Sequence, residues 1–388
     1  MDFRFTEEQQ MIRDTADAFL AEVSGCESVR AAMATEAGFD AEVWRRICAE
    51  MYWPALHIPE QYGGLGLGYV ELAATLEQMG RYLLCSPFFA TVGLGVNGLL
   101  VAGSDEQKAE YLPKLAAGET ATLAWTGSNG RWDAEAVQAT WELEEDGYIL
   151  NGGYRYVIDG HTADWLLVAA REPGSEGQQG ISLFMVPADS VGLDREWLPT
   201  VDQTRKQAEL TLNQVAVPVG SRLGGEGRAW SLLEKTLDLA RVALVAEQVG
   251  NAQQALDLSV AYTQERVQFN RTIASYQAIK HKAADMMLKA EAARSALYYA
   301  ACVAQEFLEG GPMAGELTEA ASVAQAWCSD ACFFNAGCGI QLHGGVGFTW
   351  EYDIQLYFKR AKASETLFGD GAWHRERLAA LLLDEEVA

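Results

Sequence analysis

Gln341-Leu342-His343-Gly344-Gly345-Val346-Gly347-Phe348-Thr349-Trp350-Glu351 closes a run of small residues over positions 320–340, and it leads on to Lys359-Arg360-Ala361-Lys362 and Phe368-Gly369-Asp370. The upstream run has helical spacing, and the double glycine ends it. Gly345 and Gly347 let backbone pass where a side chain would not fit. Acid, aromatic and base then alternate at close spacing, the pattern of a binding site built on a turn between two helices.

Composition narrows what such a site serves. The chain has 388 residues, 49% of them hydrophobic and 21% charged, enough for two or three domains with buried cores. A formal charge of −25 argues against nucleic acid or an anionic membrane surface as partner, because either would repel it. No apolar run reaches the roughly 18–20 residues of a bilayer span, and the opening Met1-Asp2-Phe3-Arg4-Phe5 does not read as a secretory signal. Seven cysteines without framework spacing point to a reduced, cytoplasmic chain. Cys328, Cys332 and Cys338 lie near His343 in sequence, but the first two are one helical turn apart and read as small core residues rather than metal ligands.

Taken in order, residues 1–118 read as an all-α domain. Thr6 to Gln9 and Ser104 to Gln107 are capping boxes, Asp40 opens a helix, and further helices cover 70–83 and 88–102. Residues 119–226 change texture. Short β-type runs at 120–126, 137–144, 148–150, 154–158, 165–170, 181–187 and 209–217 are separated by Asp146-Gly147, Asn151-Gly152-Gly153 and Asp159-Gly160. They predict a central antiparallel β domain, a barrel or sandwich. Residues 227–388 return to long helices at 229–269, 275–309, 316–340 and from 352 onward, the last bent near Gly369 to Gly371. Short connections between them predict a C-terminal four-helix bundle. The fold class is α+β multidomain, in the order α, β, α.

That order and two C-terminal motifs together resemble the acyl-CoA dehydrogenases over nearly the whole chain. Arg266-Val267-Gln268-Phe269-Asn270-Arg271-Thr272-Ile273, followed by Tyr276-Gln277-Ala278, is similar to the family segment Arg-x-x-Phe-Gly-x-x-Ile with its Phe-Gln partner. The opening stretch is similar to the family's Gln-x-x-Gly-Gly-x-Gly. The resemblance implies FAD, with Arg266 on its pyrophosphate, Phe269 over the adenine, Gln277 and Gln341 donating from their amides, and Gly345 letting backbone approach the nucleotide. In the family these groups reach the flavin of a neighbouring subunit, so oligomerisation belongs to the cofactor site. The competing reading pairs Arg266 with Glu265 or a surface acid and buries Phe269 in the core. In the β domain, Leu123-Ala124-Trp125-Thr126 aligns with the family strand whose Thr meets the flavin, although Gly127-Ser128-Asn129-Gly130 replaces the usual Glu-Pro. Arg155 to Gly160 matches Trp-Ile-Thr-Asn-Gly, with Tyr156 for Trp and Ile158 for Thr.

The activity so implied is α,β-dehydrogenation of an acyl-CoA, in which a carboxylate takes the α-proton while the β-hydride passes to FAD, and electrons go on to an electron-transfer flavoprotein. The family's base position falls on Phe368 and its alternative on Ala240; neither is a carboxylate. Glu247, on the same helical face as Ala240 seven residues on, is the first candidate base. Burial there would favour its protonated form; the bland reading pairs it with a bundle cation such as Lys280 or Arg294. Asp370 is the second candidate, or else a helix cap. Arg241 is the candidate for substrate contact. Ala240, Ala243, Ala246 and Gly250 make room for a bulky acyl chain or for close helix packing. The Phe-Gly-Asp variant is similar to a bacterial subgroup, often α2β2 tetramers acting on CoA thioesters of bulky acids such as steroid side chains, in which one chain lacks the base. Three functions stand: a dehydrogenase with its own base, as a homo- or heterotetramer; a non-catalytic partner completing another chain's flavin site; and a flavin oxidase or monooxygenase on the same fold.

Overall fold

The computed structural model describes residues 5–383. Its opening helices form where their caps do. The Thr6 hydroxyl accepts from the Gln9 amide at 3.1 Å while the Gln9 side chain accepts from the Thr6 amide at 3.0 Å, which opens α1 (Glu7–Val23). After α2 (Cys26–Met33), Asp40 caps α3 (Ala41–Ala49) by accepting from the amides of Glu42 and Val43. α4 (Tyr69–Arg81) follows. The expected helix over 88–102 is instead a π-helical segment, Phe89–Val96, continued by α5 (Asn97–Ala102). The Ser104 and Gln107 capping box opens α6 (Asp105–Ala117), which ends on Gly118 at φ 114°.

Among the described residues no helix is long and apolar enough to cross a membrane. Contacts gather the chain into two compact units. One holds Tyr69–Leu84 with the described parts of Met1–Ala31 and Arg241–Ala388; the other holds Ala32–Gly68 and Cys85–Ala240.

The second unit is built on a sheet of β1 (Ala121–Ala124), β2 (Thr140–Glu144), β3 (Gly147–Ile158), β4 (Trp165–Arg171), β5 (Ile181–Pro187), β6 (Leu193–Leu198), β7 (Gln207–Pro218) and β8 (Arg222–Leu223). The strand order is β6-β7-β3-β2-β4-β5-β8, with β1 on β4. Pairing is antiparallel except that β1, and β2 at the single pair Thr140 with Arg171, run parallel to β4. The expected turn at Asn151-Gly152-Gly153 is not a turn. The chain runs through it as one strand with register shifts against β7, and Gly152 is needed there because it sits at φ 136°, close against Ala139. β6 was not expected: it is an edge strand of partly buried and exposed residues, with no apolar run to mark it. Trp141, Tyr148 and Phe184 pack at the centre of this core, Tyr148 lying 5.6 Å from Trp141 and 5.1 Å from Phe184 between ring centroids.

His57 carries a consequence of burial in this unit. Its Nε2–H donates to Asn97 Oδ1 at 2.9 Å, and the Asn97 amide donates to the Gly93 carbonyl in the π-helical turn at 3.0 Å. Burial pushes the imidazole down to about 4, against a smaller upward pull from Asn97. An unfolded histidine titrates near 6.5. As pH falls below about 6.5 the unfolded chain takes up a proton that the folded one refuses, so stability is lost down to about pH 4. The loss from this group is about 3 kcal/mol, at about 1.4 kcal/mol per unit. Urea unfolding at pH 7 and 4.5 checks it: His57→Gln is expected to flatten the pH dependence relative to the parent chain.

α7 (Trp230–Glu265) belongs to the second unit as far as Ala240 and to the first from Arg241; in the first unit it leads to a hairpin of β9 (Val267–Gln268) and β10 (Arg271–Thr272), then α8 (Gln277–Glu309), α9 (Leu317–His343), α10 (Ile354–Thr366) and α11 (Gly371–Leu383). α7 stops at Glu265, not at 269. The fourth expected helix is broken rather than bent, because Phe368 and Gly369 both adopt left-handed backbone at φ 62° and 103°. α4 packs hard against α7. A Cβ on Gly250 would overlap the Glu77 carbonyl, and one on Gly80 would overlap the Glu247 carbonyl, so Gly250 serves helix packing rather than space for a ligand. Glu77 in turn accepts from Arg294 at 3.0 Å and from the Tyr298 hydroxyl at 2.6 Å. Buried amides tie α10 to α7, with Gln248 donating to Ser364 O and Asn251 to Tyr357 O. Cys328 and Cys332 are buried in α9.

Candidate functional site

The hairpin after α7 carries two of the predicted residues, Arg266 at its foot and Phe269 at its tip. Its loop is Phe269 and Asn270, both with positive φ, 52° and 63°, between the paired Gln268 and Arg271. That is the two-residue turn whose twist suits a hairpin, and it favours Asn or Gly. Asn270 therefore does what the family's glycine does. Phe269 is unusual there: a large apolar side chain on left-handed backbone, 87% exposed. Such strain at an exposed residue marks function rather than packing. Arg266 is also exposed, and its side chain makes no hydrogen bond or ion pair among the described residues. The reading that paired it with Glu265 and buried Phe269 is not met.

Gln277 begins α8, whose N-cap Tyr276 offers no side-chain hydrogen bond to the first turn. The amides of Ile279 and Lys280 donate to the Tyr276 carbonyl, and those of Gln277 and Ala278, the first two of a 33-residue helix, are left for another acceptor. Arg271 stacks on the Tyr276 ring at 3.8 Å. Positions 266–277 therefore gather a cation without a partner, an exposed aromatic ring and an uncapped helix start. A dianion joined to flat rings needs each of these, and the residues fit FAD.

Gln341 lies on the last turn of α9, exposed, with Oε1 accepting from Lys282 Nζ at 2.8 Å. Its amide nitrogen is left to donate. Lys282 was not foreseen, because nothing in the local sequence of α8 marks it as facing α9. Gly345 does not make the expected close approach within the chain, since a Cβ there would meet nothing. The glycine that packing requires is Gly347, where a Cβ would lie 2.8 Å from Ile340 O and 3.1 Å from His343 Cβ.

In the other unit, Thr126 and Tyr156 come together. Thr126 Oγ1 donates to Arg155 O at 3.0 Å, and the Arg155 amide donates to Thr126 O at 3.0 Å. Tyr156 sits in the β3 bulge at φ 60° and is 56% exposed, a second strained, exposed aromatic. Ile158, in place of the family Thr, is buried.

The base candidates fare differently. Glu247 is buried and paired with Arg360, Nη1 to Oε2 at 3.5 Å. The predicted alternative, a partner cation, is realised with Arg360 rather than Lys280 or Arg294. Asp370 caps α11, accepting from the Trp373 amide at 2.8 Å. Arg241, the candidate for substrate contact, is buried. It is 1% exposed, with Nε donating to Phe368 O at 3.3 Å and the guanidinium 5.3 Å from the Trp373 ring centroid. His374 Nε2 lies 3.2 Å from the same carbonyl. Phe368, which the resemblance aligns with the family's base, is buried, and its backbone oxygen faces an arginine and a histidine.

Comparison with known proteins agrees with the layout. Residues 6–119, 122–215 and 227–383 match the acyl-CoA dehydrogenase N-terminal, middle and C-terminal domains. The chain belongs to the acyl-CoA dehydrogenase family and is an FAD-dependent oxidoreductase. It is 31% identical to the acyl-CoA dehydrogenase IpdE2 of Mycolicibacterium smegmatis, over 97% of this chain and 99% of that one. Butyryl-CoA dehydrogenase from Megasphaera elsdenii superposes with a TM-score of 0.91 at 27% identity, covering 99% of this chain and 100% of that one. A chain of the ChsE4-ChsE5 complex from Mycobacterium tuberculosis superposes with a TM-score of 0.87 at 27% identity, covering 98% and 99%.

Proposed function

We propose that this chain is a subunit of an FAD-dependent acyl-CoA dehydrogenase whose proton-abstracting carboxylate comes from a homologous partner chain, as in an α2β2 tetramer. The observation that carries the proposal is the buried Glu247–Arg360 pair. With Phe368 and Ala240 at the two family base positions and Asp370 spent on a cap, no candidate carboxylate of this chain is left to take a proton. The likeness to a chain of the ChsE4-ChsE5 complex supports a two-chain assembly. The division into 1–118, 119–226 and 227–388 is proposed as the domain plan.

In this reading Arg266 pairs with the pyrophosphate, Phe269 covers the adenine, and Gln277 and Gln341 donate to the nucleotide. Gly345, open on its Cβ side, leaves room for it. Those groups reach the FAD of a neighbouring subunit, whereas Thr126 and Tyr156 meet the flavin ring of a different FAD. FAD, when bound, supplies the hydride acceptor. The chain's own residues bind and orient; the α-proton goes elsewhere. The substrate is a CoA thioester of a bulky acid, and the electron acceptor is an electron-transfer flavoprotein.

Flavin content tests the assembly. The chain is purified alone and with candidate homologous chains from the same genome, and bound FAD is measured by absorbance. Full flavin loading only in the mixture supports the proposal; full loading and activity of the chain alone would remove it. Arg266→Ala is expected to weaken FAD binding about 10- to 100-fold, the worth of one charge-assisted contact, measured by flavin fluorescence.

A further inference from the structure

His343 stands between two of the segments just assigned to the cofactor, yet neither composition nor family motif gives it a task. Its ring stacks on Tyr262 at 4.3 Å between centroids and 20° between planes, and meets Tyr352 edge-on at 5.9 Å. Tyr262 and Tyr352 themselves meet edge-on at 5.8 Å, so the three rings form one cluster. Nδ1 donates to the Gly339 carbonyl at 2.7 Å, which fixes the tautomer and the ring's orientation. Burial lowers the imidazole pKa, with the Gly339 contact acting the other way, so the ring is neutral near pH 7.

The connections on either side give the cluster its meaning. Tyr262 lies one turn before the end of α7, and its carbonyl accepts from the Arg266 amide at 2.9 Å. The Arg266 carbonyl in turn accepts from the Ile273 amide at 2.9 Å, which closes the hairpin that displays Phe269. On the other side, His343 is the last residue of α9, two positions after Gln341, and Gly344 departs from it at φ 65°. Gly347 packs back on its Cβ. A single side chain therefore touches the root of the Arg266 hairpin and forms the root of the Gln341 turn.

We propose that His343 is a positioning residue for cofactor binding: by stacking on Tyr262 it holds the Arg266–Phe269 hairpin in register with the α9 turn that carries Gln341. The proposal rests on the reading that Arg266, Phe269 and Gln341 contact the nucleotide. The stack, rather than the bond to Gly339, does the holding, because that bond stays within α9 while the stack joins α9 to α7. A flat ring at this position suffices; a small side chain does not.

The test compares His343→Ala, His343→Phe and Arg266→Ala in the chain co-purified with its partner. FAD dissociation is followed by fluorescence well below each variant's Tm, and amide hydrogen exchange is followed over residues 266–273. His343→Ala is expected to weaken FAD binding about 10-fold and to speed exchange of the Ile273 amide about 10-fold even without FAD. His343→Phe is expected to restore both to within about 2-fold. The proposal is overturned if His343→Ala binds FAD like the parent, if exchange rises equally throughout α7, α8 and α9, or if His343→Phe fails to rescue. If Arg266→Ala weakens FAD binding and His343→Ala does not, only the clamp fails. If Arg266→Ala has no effect, the nucleotide reading fails and the clamp with it.

Discussion

Arg360→Met is expected to lower the stability of the folded chain by about 3–5 kcal/mol, the loss seen when one partner of a buried ion pair is removed and the other charge is left without compensation. Glu247 and Arg360 are both buried, and their helices, α7 and α10, are otherwise joined by amide-to-carbonyl bonds such as Gln248 to Ser364 O. The double variant Glu247→Leu/Arg360→Met removes both charges and is expected to recover most of the loss, because burying apolar groups of similar size costs no desolvation of charge. Urea midpoints at constant m-value check both. A single-variant loss under about 1 kcal/mol would mean that the pair is loose, and Glu247 would again be free for chemistry.

Gly250→Ala is expected to cost about 3 kcal/mol, at the upper end for overpacking. The added Cβ would meet the Glu77 carbonyl and, at 2.7 Å, the Arg81 amide nitrogen, both backbone atoms of α4. Backbone cannot swing aside as a side chain does, so α4 must shift from α7. That shift also disturbs Glu77, which holds Arg294 and Tyr298. Thermal unfolding is the simplest readout, with a fall of several degrees. An unchanged Tm would show that the two helices are not in contact at Gly250.

How much of this was legible in the sequence depended on whether the signal was local. Capping boxes at Thr6 and Ser104 act within four residues, and both form as read. The Arg266–Phe269 and Gln341–Gly347 motifs are likewise short, the first forming a hairpin and the second ending a helix. Boundaries failed where backbone departed from the regular menu. The end of α7 at Glu265 is set by a hairpin whose Phe269 breaks the usual preference for Asn or Gly, and Asn151-Gly152-Gly153 looks like a turn although its glycines serve bulges. Pairings across elements were not legible at all. Arg360 as the partner of Glu247, Lys282 on Gln341 and Tyr262 on His343 join residues 113, 59 and 81 positions apart, and no local pattern marks them.

The most direct measurement is anaerobic flavin bleaching by a panel of CoA thioesters, from butyryl to polycyclic acyl groups, in the complex of this chain with its partner. The Glu247→Gln variant is compared with the parent. Glutamine keeps the shape and removes the charge, so any role as base disappears; because it also leaves the buried Arg360 charge without its partner, rates are measured well below the variant's own Tm. The account predicts bleaching in the complex at a rate changed less than about 2-fold by Glu247→Gln and abolished by removing the partner's carboxylate. Bleaching by this chain alone, lost in Glu247→Gln by the 10²- to 10⁴-fold or so typical of a missing general base, would contradict it.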